Sequence, residues 1–267
     1  MIRTIPSTGR VLSFADEQSV KETLNMGCWS EQQLIGKGKE WFAERITNDC
    51  SEFAVFHHGK KVAEVKWNIV GQHNMHNALM AIAAAYHAGV KIEDACQALG
   101  SFINAKRRLE VKGEVNGITV YDDFAHHPTA IDTTLDGARK RLGERRLWAI
   151  IEPRSNTMRM GSHKDNLAHS ARMADEVIWY QPEGLDWDLQ PVIAASPNKA
   201  EVSRSLDERH KVGNVFGRQL VREAWHSPVD TYALQDPGFS IHQRAGVGIS
   251  QIGNRSAIVD ARHAVTE

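Results

Sequence analysis

Two adjacent acids and two adjacent histidines lie within one short bend of the sequence. The segment "VYDDFAHHPTAI" carries Asp122, Asp123, His126 and His127 between a β-like run and a helix that begins at Pro128. In open α/β sheets the ligand site lies beyond the carboxyl ends of the strands. Carboxylates there can accept hydrogen bonds from ribose or hold hydrated magnesium, and histidines can donate to phosphate or substrate oxygens. Alternatively, an aspartate caps the turn and a histidine only packs beside it.

A metal site made of these two histidines is not expected, because no third soft ligand lies nearby in the sequence. A second polar cluster opens the alanine-rich stretch "GQHNMHNALMAIAAAYHAGV". There Asn74 and Asn77 are three residues apart, so both amides project from about the same face of a helix. An amide offers a donor and an acceptor together, which matches the edge of a nucleobase. The plainer alternative makes Asn74 the helix N-cap and leaves the neighbouring histidines, His73 and His76, half-exposed.

Two further segments contain arginines. "KRRLE", Lys106–Glu110, lies where a domain junction is predicted, near residues 104–110, and arginine forks bind phosphate at such junctions. A solvated basic linker is the alternative. In "EPRSNTMRMG" the residues Arg154, Ser155 and Asn156 follow a buried strand, and a guanidinium beside neutral hydrogen-bonding groups suits a carboxylate-bearing substrate. Polar turn formation could account for Ser155 and Asn156.

The elements that must position these residues fall into two parts. The first seventy residues predict short strands, "GRVLSF" and "KKVAEVKWNIV" among them, with a hairpin turn at Gly59. A helix ending near Gly89 and a second helix, "KIEDACQALGSFI", follow. From residue 110 onward, strand, helix, strand, helix, strand predicts a doubly wound parallel α/β domain. Beyond about residue 200 the sequence has few periodic segments.

Composition excludes several classes of function. With 32 Lys plus Arg against 33 Asp plus Glu, no strong field would steer the chain to nucleic acid or to an anionic membrane. The 267 residues can form two modest domains. The three cysteines lack CxxC spacing, which favours reduced cytosolic thiols. No apolar run suits a signal peptide or a membrane span, so a cytoplasmic location is expected.

Four stretches, taken in order, resemble the Mur ligase family: "GQHNMHNALMAIAAA", "FINAKRRLE", "VYDDFAHHPTAI" and "EPRSNTMRMG", with "NMGCWS" before them. The resemblance covers about residues 1–190. It implies that residues 1–106 are the C-terminal part of a central ATPase domain and that residues 107–267 are a Rossmann-like, substrate-binding C-terminal domain. The tail beyond about residue 200 is divergent: where the family pattern has a "GIHQ" segment after a strand, this chain has "PGFSIHQR", Pro237–Arg244.

The activity implied by the resemblance is ATP-dependent amide formation, joining UDP-N-acetylmuramate to L-alanyl-γ-D-glutamyl-meso-diaminopimelate in peptidoglycan recycling. ATP would convert the lactyl carboxylate to an acyl phosphate, which the amine of the tripeptide then attacks; ATP and Mg²⁺ are the implied cofactors. The resemblance implies that ATP is contacted through adenine by His73, Asn74 and Asn77, through the γ-phosphate by Arg108, and through ribose by Asp122. It places His126 and His127 near the reacting centre. It implies that the tripeptide is bound by Arg154, Ser155 and Asn156.

The sequence contains no GxxxxGK[ST] phosphate loop, and it lacks the acidic and histidine magnesium ligands that the family carries. A ligase fragment that is inactive alone is therefore expected. The alternatives are a non-catalytic tripeptide-binding module and a split enzyme whose other half, with the phosphate loop, is a separate chain. Truncation also predicts that one apolar face of the helix Asn74–Ala88 lacks its cover.

Overall fold

The computed structural model describes residues 2–115, 117–153, 155–181, 184–204 and 256–261, with backbone only at Val115 and at residues 256–261. Asn116, Arg154 and the segment Pro237–Arg244 lie outside the described residues. The chain divides into two compact units, Met1–Asn104 and Ala105–Glu267.

The first unit is a five-stranded mixed sheet with two helices packed on it. Its elements, after a 3₁₀ helix at Ile2–Thr4, are β1 (Arg10–Phe14), α1 (Gln18–Asn25), β2 (Glu31–Ile35), β3 (Trp41–Arg45), β4 (Glu52–His57), β5 (Lys60–Lys66), α2 (Gln72–His87) and α3 (Ile92–Gly100). The strand order is β1-β2-β3-β4-β5. The pairs β1–β2 and β2–β3 are parallel, and β3, β4 and β5 form an antiparallel meander.

The hairpin and the two helices predicted for this unit are confirmed. The turn between β4 and β5 uses His58 and Gly59, both left-handed with φ of 48° and 74°, which matches the right-handed twist of the flanking strands. The expected uncovered apolar face on α2 stays a prediction, because Ala81, Ala84 and Ala88 on the side away from the core are exposed. Met75, Leu79 and Ile82 are buried because the core-facing side packs against the sheet and α3.

The second unit is a six-stranded sheet flanked by helices. Its elements are β6 (Glu110–Val115), β7 (Ile118–Asp123), α4 (Pro128–Leu142), β8 (Arg146–Ile151), α5 (Asn156–Arg159), α6 (Lys164–Ser170), β9 (Glu176–Tyr180), α7 (Gln190–Ala194), β10 (Lys199–Ser203) and β11 (Ser256–Ala261). The strand order is β10-β9-β8-β11-β7-β6. Its own core includes Leu135, Leu147 and Trp179.

The α/β class is confirmed, but the sheet is mixed and not wholly parallel. β8, β9 and β10 run parallel, β6 is antiparallel to β7, and β11 is antiparallel to both β7 and β8. β11 comes from the tail, within "SAIVDARHAV", one of its few weakly periodic segments. Its residue Ser256 pairs with Asp123 on one side and with Ile151 on the other. Strands β7 and β8 therefore end at the same level, two strand spacings or roughly 10 Å apart.

No helix in the described ranges is both long enough and apolar enough to cross a membrane.

Candidate functional site at the strand ends

Asp123 folds the bend that follows β7. Its side chain accepts hydrogen bonds from the backbone N–H of Leu109 and of Ala125, each at 2.8 Å, and from the Thr134 hydroxyl at 3.3 Å. The residue is 3% exposed, and its burial raises the pKa of the carboxyl although these donors and the charge of Arg108 oppose the rise. For Asp123 the turn-forming alternative is the one that the structure shows.

The segment Arg107–Leu109 is bound to the bend and is not a free linker. The backbone N–H of Phe124 donates to the Arg107 carbonyl at 2.8 Å, and the Leu109 N–H is held by Asp123. Arg107 and Leu109 both have left-handed φ, at 60° and 49°. The Arg107 guanidinium lies 5.0 Å from the centre of the Phe124 ring. Between these two anchored residues, Arg108 is exposed.

Asp122 points to the opposite face of the sheet from Asp123, as successive strand residues do. It is 6% exposed. Its Oδ2 lies 3.6 Å from Arg107 Nε and 3.9 Å from Lys112 Nζ. Two cations therefore hold this carboxylate at the end of β7.

The two histidines of the bend have different hydrogen-bonding states. His126 Nδ1 is 2.8 Å from the Phe124 carbonyl, so Nδ1 carries a proton and Nε2 of the neutral ring is an acceptor. His127 Nδ1 accepts from the Thr129 N–H at 3.3 Å and caps α4, which leaves the proton on Nε2. Partial burial, and then the charges of His163 and His126, lower the pKa of His127. The His163 ring centre is 4.3 Å from that of His127.

The loop after β8 is joined to the same bend through Ser155. The Ser155 hydroxyl donates to the His126 carbonyl at 3.1 Å and accepts from the Met158 N–H at 3.3 Å as the cap of α5. The turn-forming alternative therefore describes Ser155. Asn156, the next residue, is exposed.

The predicted adenine-contacting residues lie on α2 in the first unit. Gly71, with φ of 98°, is the N-cap of α2, so the capping alternative for Asn74 is wrong. The Asn74 side-chain nitrogen instead donates to the Val70 carbonyl at 2.7 Å. Asn77 is exposed and His73 is half-buried.

Several exposed or half-exposed side chains therefore lie together after the carboxyl ends of β7 and β8, on backbone that hydrogen bonds hold in place, and their nitrogen atoms can donate hydrogen bonds. The exposed Arg108, the Nε2–H of His127 and the exposed amide of Asn156 suit an anionic ligand such as a phosphate or a carboxylate. Two residues of this edge were not predicted. His163 comes from the loop before α6, 36 residues after His127, and nothing in its spacing indicates their contact. Lys112 lies on β6, and from the sequence it cannot be distinguished from an ordinary surface lysine.

Comparison with known proteins gives consistent matches. Residues 107–213 match the family "Mur ligase, glutamate ligase domain". The chain is 66% identical over 208 residues to a UDP-N-acetylmuramate–L-alanyl-γ-D-glutamyl-meso-2,6-diaminoheptandioate ligase of Haemophilus influenzae, and 52% identical to the ligase of the same name from Escherichia coli. Each match covers 78% of this chain and 46% of the relative. The chain thus spans about half the length of these relatives.

A solved structure adds the fold to these matches. A murein peptide ligase from Psychrobacter arcticus superposes with a TM-score of 0.59 at 48% identity, over 81% of this chain and 48% of that one. Sequence and fold lead to one assignment: the chain belongs to the Mur ligase family.

Proposed function

We propose that this chain carries the nucleotide-facing and tripeptide-facing part of a cytoplasmic, ATP-dependent ligase. The ligase would join UDP-N-acetylmuramate to L-alanyl-γ-D-glutamyl-meso-diaminopimelate. The identity of 66% to a relative whose name states these substrates supports this reaction. The observation that carries it is the bound segment Arg107–Leu109, which fixes an exposed arginine at the edge where β7 ends.

Arg108 is the proposed contact for the γ-phosphate. Its two neighbours are anchored through the Arg107 carbonyl and the Leu109 N–H, so its backbone is fixed while its side chain is exposed. A preorganised guanidinium can stabilise the charge that develops on a transferring phosphoryl group. Arg107 cannot take this role, because its guanidinium already lies against Phe124 and Asp122.

His126 and His127 are the proposed groups near the reacting carbonyl. The neutral His127 presents an Nε2–H, which can donate to an oxyanion or to the leaving phosphate. His126 presents Nε2 as an acceptor, which can orient the attacking amine or take its proton. The pair therefore offers one donor and one acceptor on adjacent residues.

Arg154, Ser155 and Asn156 are the proposed contacts for the tripeptide. Pro153 and Ser155 on either side of Arg154 are buried, and Ser155 is tied to the bend. This anchoring supports the exposed amide of Asn156 as a contact, and Arg154 is proposed from its place in the sequence between Pro153 and Ser155. A guanidinium binds a substrate carboxylate through two parallel hydrogen bonds.

Nucleotide contacts are proposed in each unit taken by itself. On α2, the side-chain amide of Asn77 is exposed and can contact the adenine base. The Asn74 side-chain nitrogen already donates to the Val70 carbonyl, so the Asn74 side-chain oxygen is the proposed contact for the base, with the neighbouring His73. Asp122 would accept from ribose while it remains paired with its cations. Magnesium does not fit the bend, because Asp123 already accepts three hydrogen bonds and Asp122 is paired with two cations. Since the sequence has no GxxxxGK[ST] loop, that loop and the magnesium ligands are assigned to polypeptide outside these 267 residues, whether continuous with them or a separate chain.

The test measures amide formation and ADP release with and without the phosphate loop. A polypeptide of these 267 residues should not form the amide or release ADP, and a fusion to the phosphate-loop half of the Haemophilus influenzae relative should do both. In that fusion Arg108→Ala should lower kcat by about 10³-fold or more, as expected for a guanidinium that stabilises phosphoryl transfer. Tripeptide binding without turnover by the fusion would instead favour a non-catalytic binding module. Full turnover by the 267 residues alone would contradict the proposal.

A further inference from the structure

A cluster of two imidazoles and one carboxylate lies in the first unit, in residues to which the proposed ligase function gives no role. Glu40 directly precedes β3, His57 ends β4, and His58 is the first residue of the β4–β5 turn. The Nε2 atoms of His57 and of His58 each lie 3.3 Å from the same Glu40 oxygen, Oε1. Among the described residues this is the one group of three or more metal-ligating side chains whose ligand atoms converge within 4.8 Å.

Two of the three distances between these ligand atoms match the edges of a tetrahedral metal site, and the third is at most 4.8 Å. For metal–ligand bonds of about 2.0–2.1 Å, a tetrahedron has ligand–ligand edges of about 3.3–3.4 Å. Two of the three edges here, from Nε2 of each histidine to Oε1, are 3.3 Å. A small ion could therefore replace the two N–H protons without moving the backbone, once each imidazole carries its proton on Nδ1.

The surroundings hold these ligands in place. The His57 ring stacks on Trp41 at 4.1 Å and meets the edge of Tyr86 at 5.0 Å. The Gln33 amide nitrogen donates to Glu40 Oε1. The backbone N–H of His58 donates to the Glu40 carbonyl at 2.8 Å, which joins the turn to the start of β3. Ligands oriented by such outer partners lose little freedom when an ion binds.

We propose that Glu40, His57 and His58 bind Zn²⁺, or a divalent ion with the same preference for imidazole, with the fourth position open to water. Two histidines and one carboxylate are a ligand set that suits zinc, whereas Mg²⁺ prefers oxygen ligands in an octahedron. His58 is well exposed, at 68% of its side chain, so the ion can reach the site from solvent. The bound ion would join the start of β3 to the β4–β5 turn and so stabilise the first unit.

The experiment is a competitive Zn²⁺ titration of the 267-residue chain, prepared without a polyhistidine tag, against a chromophoric chelator. We expect one equivalent to bind to this site, an excess of Mg²⁺ not to displace it, and the first unit to melt at a higher temperature with zinc. Substituted Co²⁺ should show the intense visible absorption of a four-coordinate site. Binding that Mg²⁺ displaces, or no binding above the chelator control, would overturn the proposal.

His58→Asn is the decisive variant. It removes one ligand from an exposed position, and asparagine tolerates the left-handed φ of 48° at this turn, so the fold should persist. We expect zinc affinity to fall by at least about 10- to 100-fold, the loss typical even for outer-shell partners. Glu40→Gln, which keeps the shape but not the charge, should weaken binding as well. His169→Asn, at an exposed histidine of the second unit, should leave it unchanged. Equal affinity in wild type and His58→Asn would refute the site.

Discussion

Replacing Asp123 with alanine should loosen the bend and release the arginine segment. The carboxylate accepts from two backbone N–H groups and one hydroxyl, and alanine can accept none of these bonds. Ala125 is 5% exposed, so its N–H would lose the Asp123 acceptor at a buried position. Leu109 is only half-buried, so water can reach its N–H in the variant.

The expected cost follows from these differences. An unsatisfied buried donor costs about 1–3 kcal/mol, and the half-buried Leu109 N–H lies at the low end of this range. Removing a buried carboxyl, whose pKa is raised by its burial, offsets part of the loss. A net loss of about 2–3 kcal/mol in the unfolding free energy of the second unit is expected, which corresponds to about 30- to 150-fold faster exchange of its most protected amides.

Two measurements check this expectation. Hydrogen exchange in β8 and α4 should accelerate by the stated factor, and trypsin should cleave after Arg108 faster than in wild type. Thr134→Val is the matched control, since it removes only the 3.3 Å bond and should leave cleavage after Arg108 unchanged. Unchanged exchange and unchanged cleavage in Asp123→Ala would refute the assignment of Asp123 as the residue that holds the bend.

Two further predictions separate structural from ligand-binding roles. Arg107→Ala should lower the unfolding free energy of the second unit by about 1 kcal/mol, because the variant loses the contact with Phe124 and the pairing with Asp122. Arg108 is exposed, so Arg108→Ala should change the unfolding free energy by less than about 0.5 kcal/mol. Hydrogen exchange of both variants checks this, and equal losses would contradict it. His163→Gln should raise the pKa of His127, read from the pH titration of its ring proton by NMR, because a neighbouring positive charge is removed. Since the pKa of His127 in the folded chain lies below the ordinary 6.5, its neutral ring contributes stability that is present above pH 6.5 and is lost as the pH falls through the folded pKa. An unchanged His127 pKa in His163→Gln would contradict the contact between the two rings.

Local signals in the sequence were enough to predict most of the elements. The turn residue Gly59, the helical period of α2, and Pro128 at the start of α4 each act over a few neighbouring residues. The placement of the chemical groups at strand ends follows from the same pattern, because a strand followed by a helix must turn at its carboxyl end.

Contacts between distant segments could not be predicted in this way. The pairing of β11 between β7 and β8 joins residues more than a hundred positions apart, and its six residues, "SAIVDA", show no clear alternation. The spacing of "DD" does not tell which aspartate forms the turn: that depends on which face of β7 meets Thr134 and which meets Lys112. Likewise, "KRRLE" resembles a basic linker until Asp123 is seen to hold the Leu109 N–H.

Binding of the tripeptide to the second unit is the central claim, and calorimetric titration of L-alanyl-γ-D-glutamyl-meso-diaminopimelate into the 267-residue chain tests it most directly. We expect weak binding that Arg154→Ala reduces by about 10- to 100-fold, the loss of one charge-assisted contact of about 1.5–3 kcal/mol. Arg154→Lys should restore only part, because an ammonium lacks the fork. Arg141→Ala removes the same charge from the C-terminal end of α4, which leads to the start of β8 and so lies at the opposite end of the strands. It should leave tripeptide binding unchanged. Equal affinity in wild type and Arg154→Ala, or an equal loss in Arg141→Ala, would contradict a tripeptide site at these strand ends.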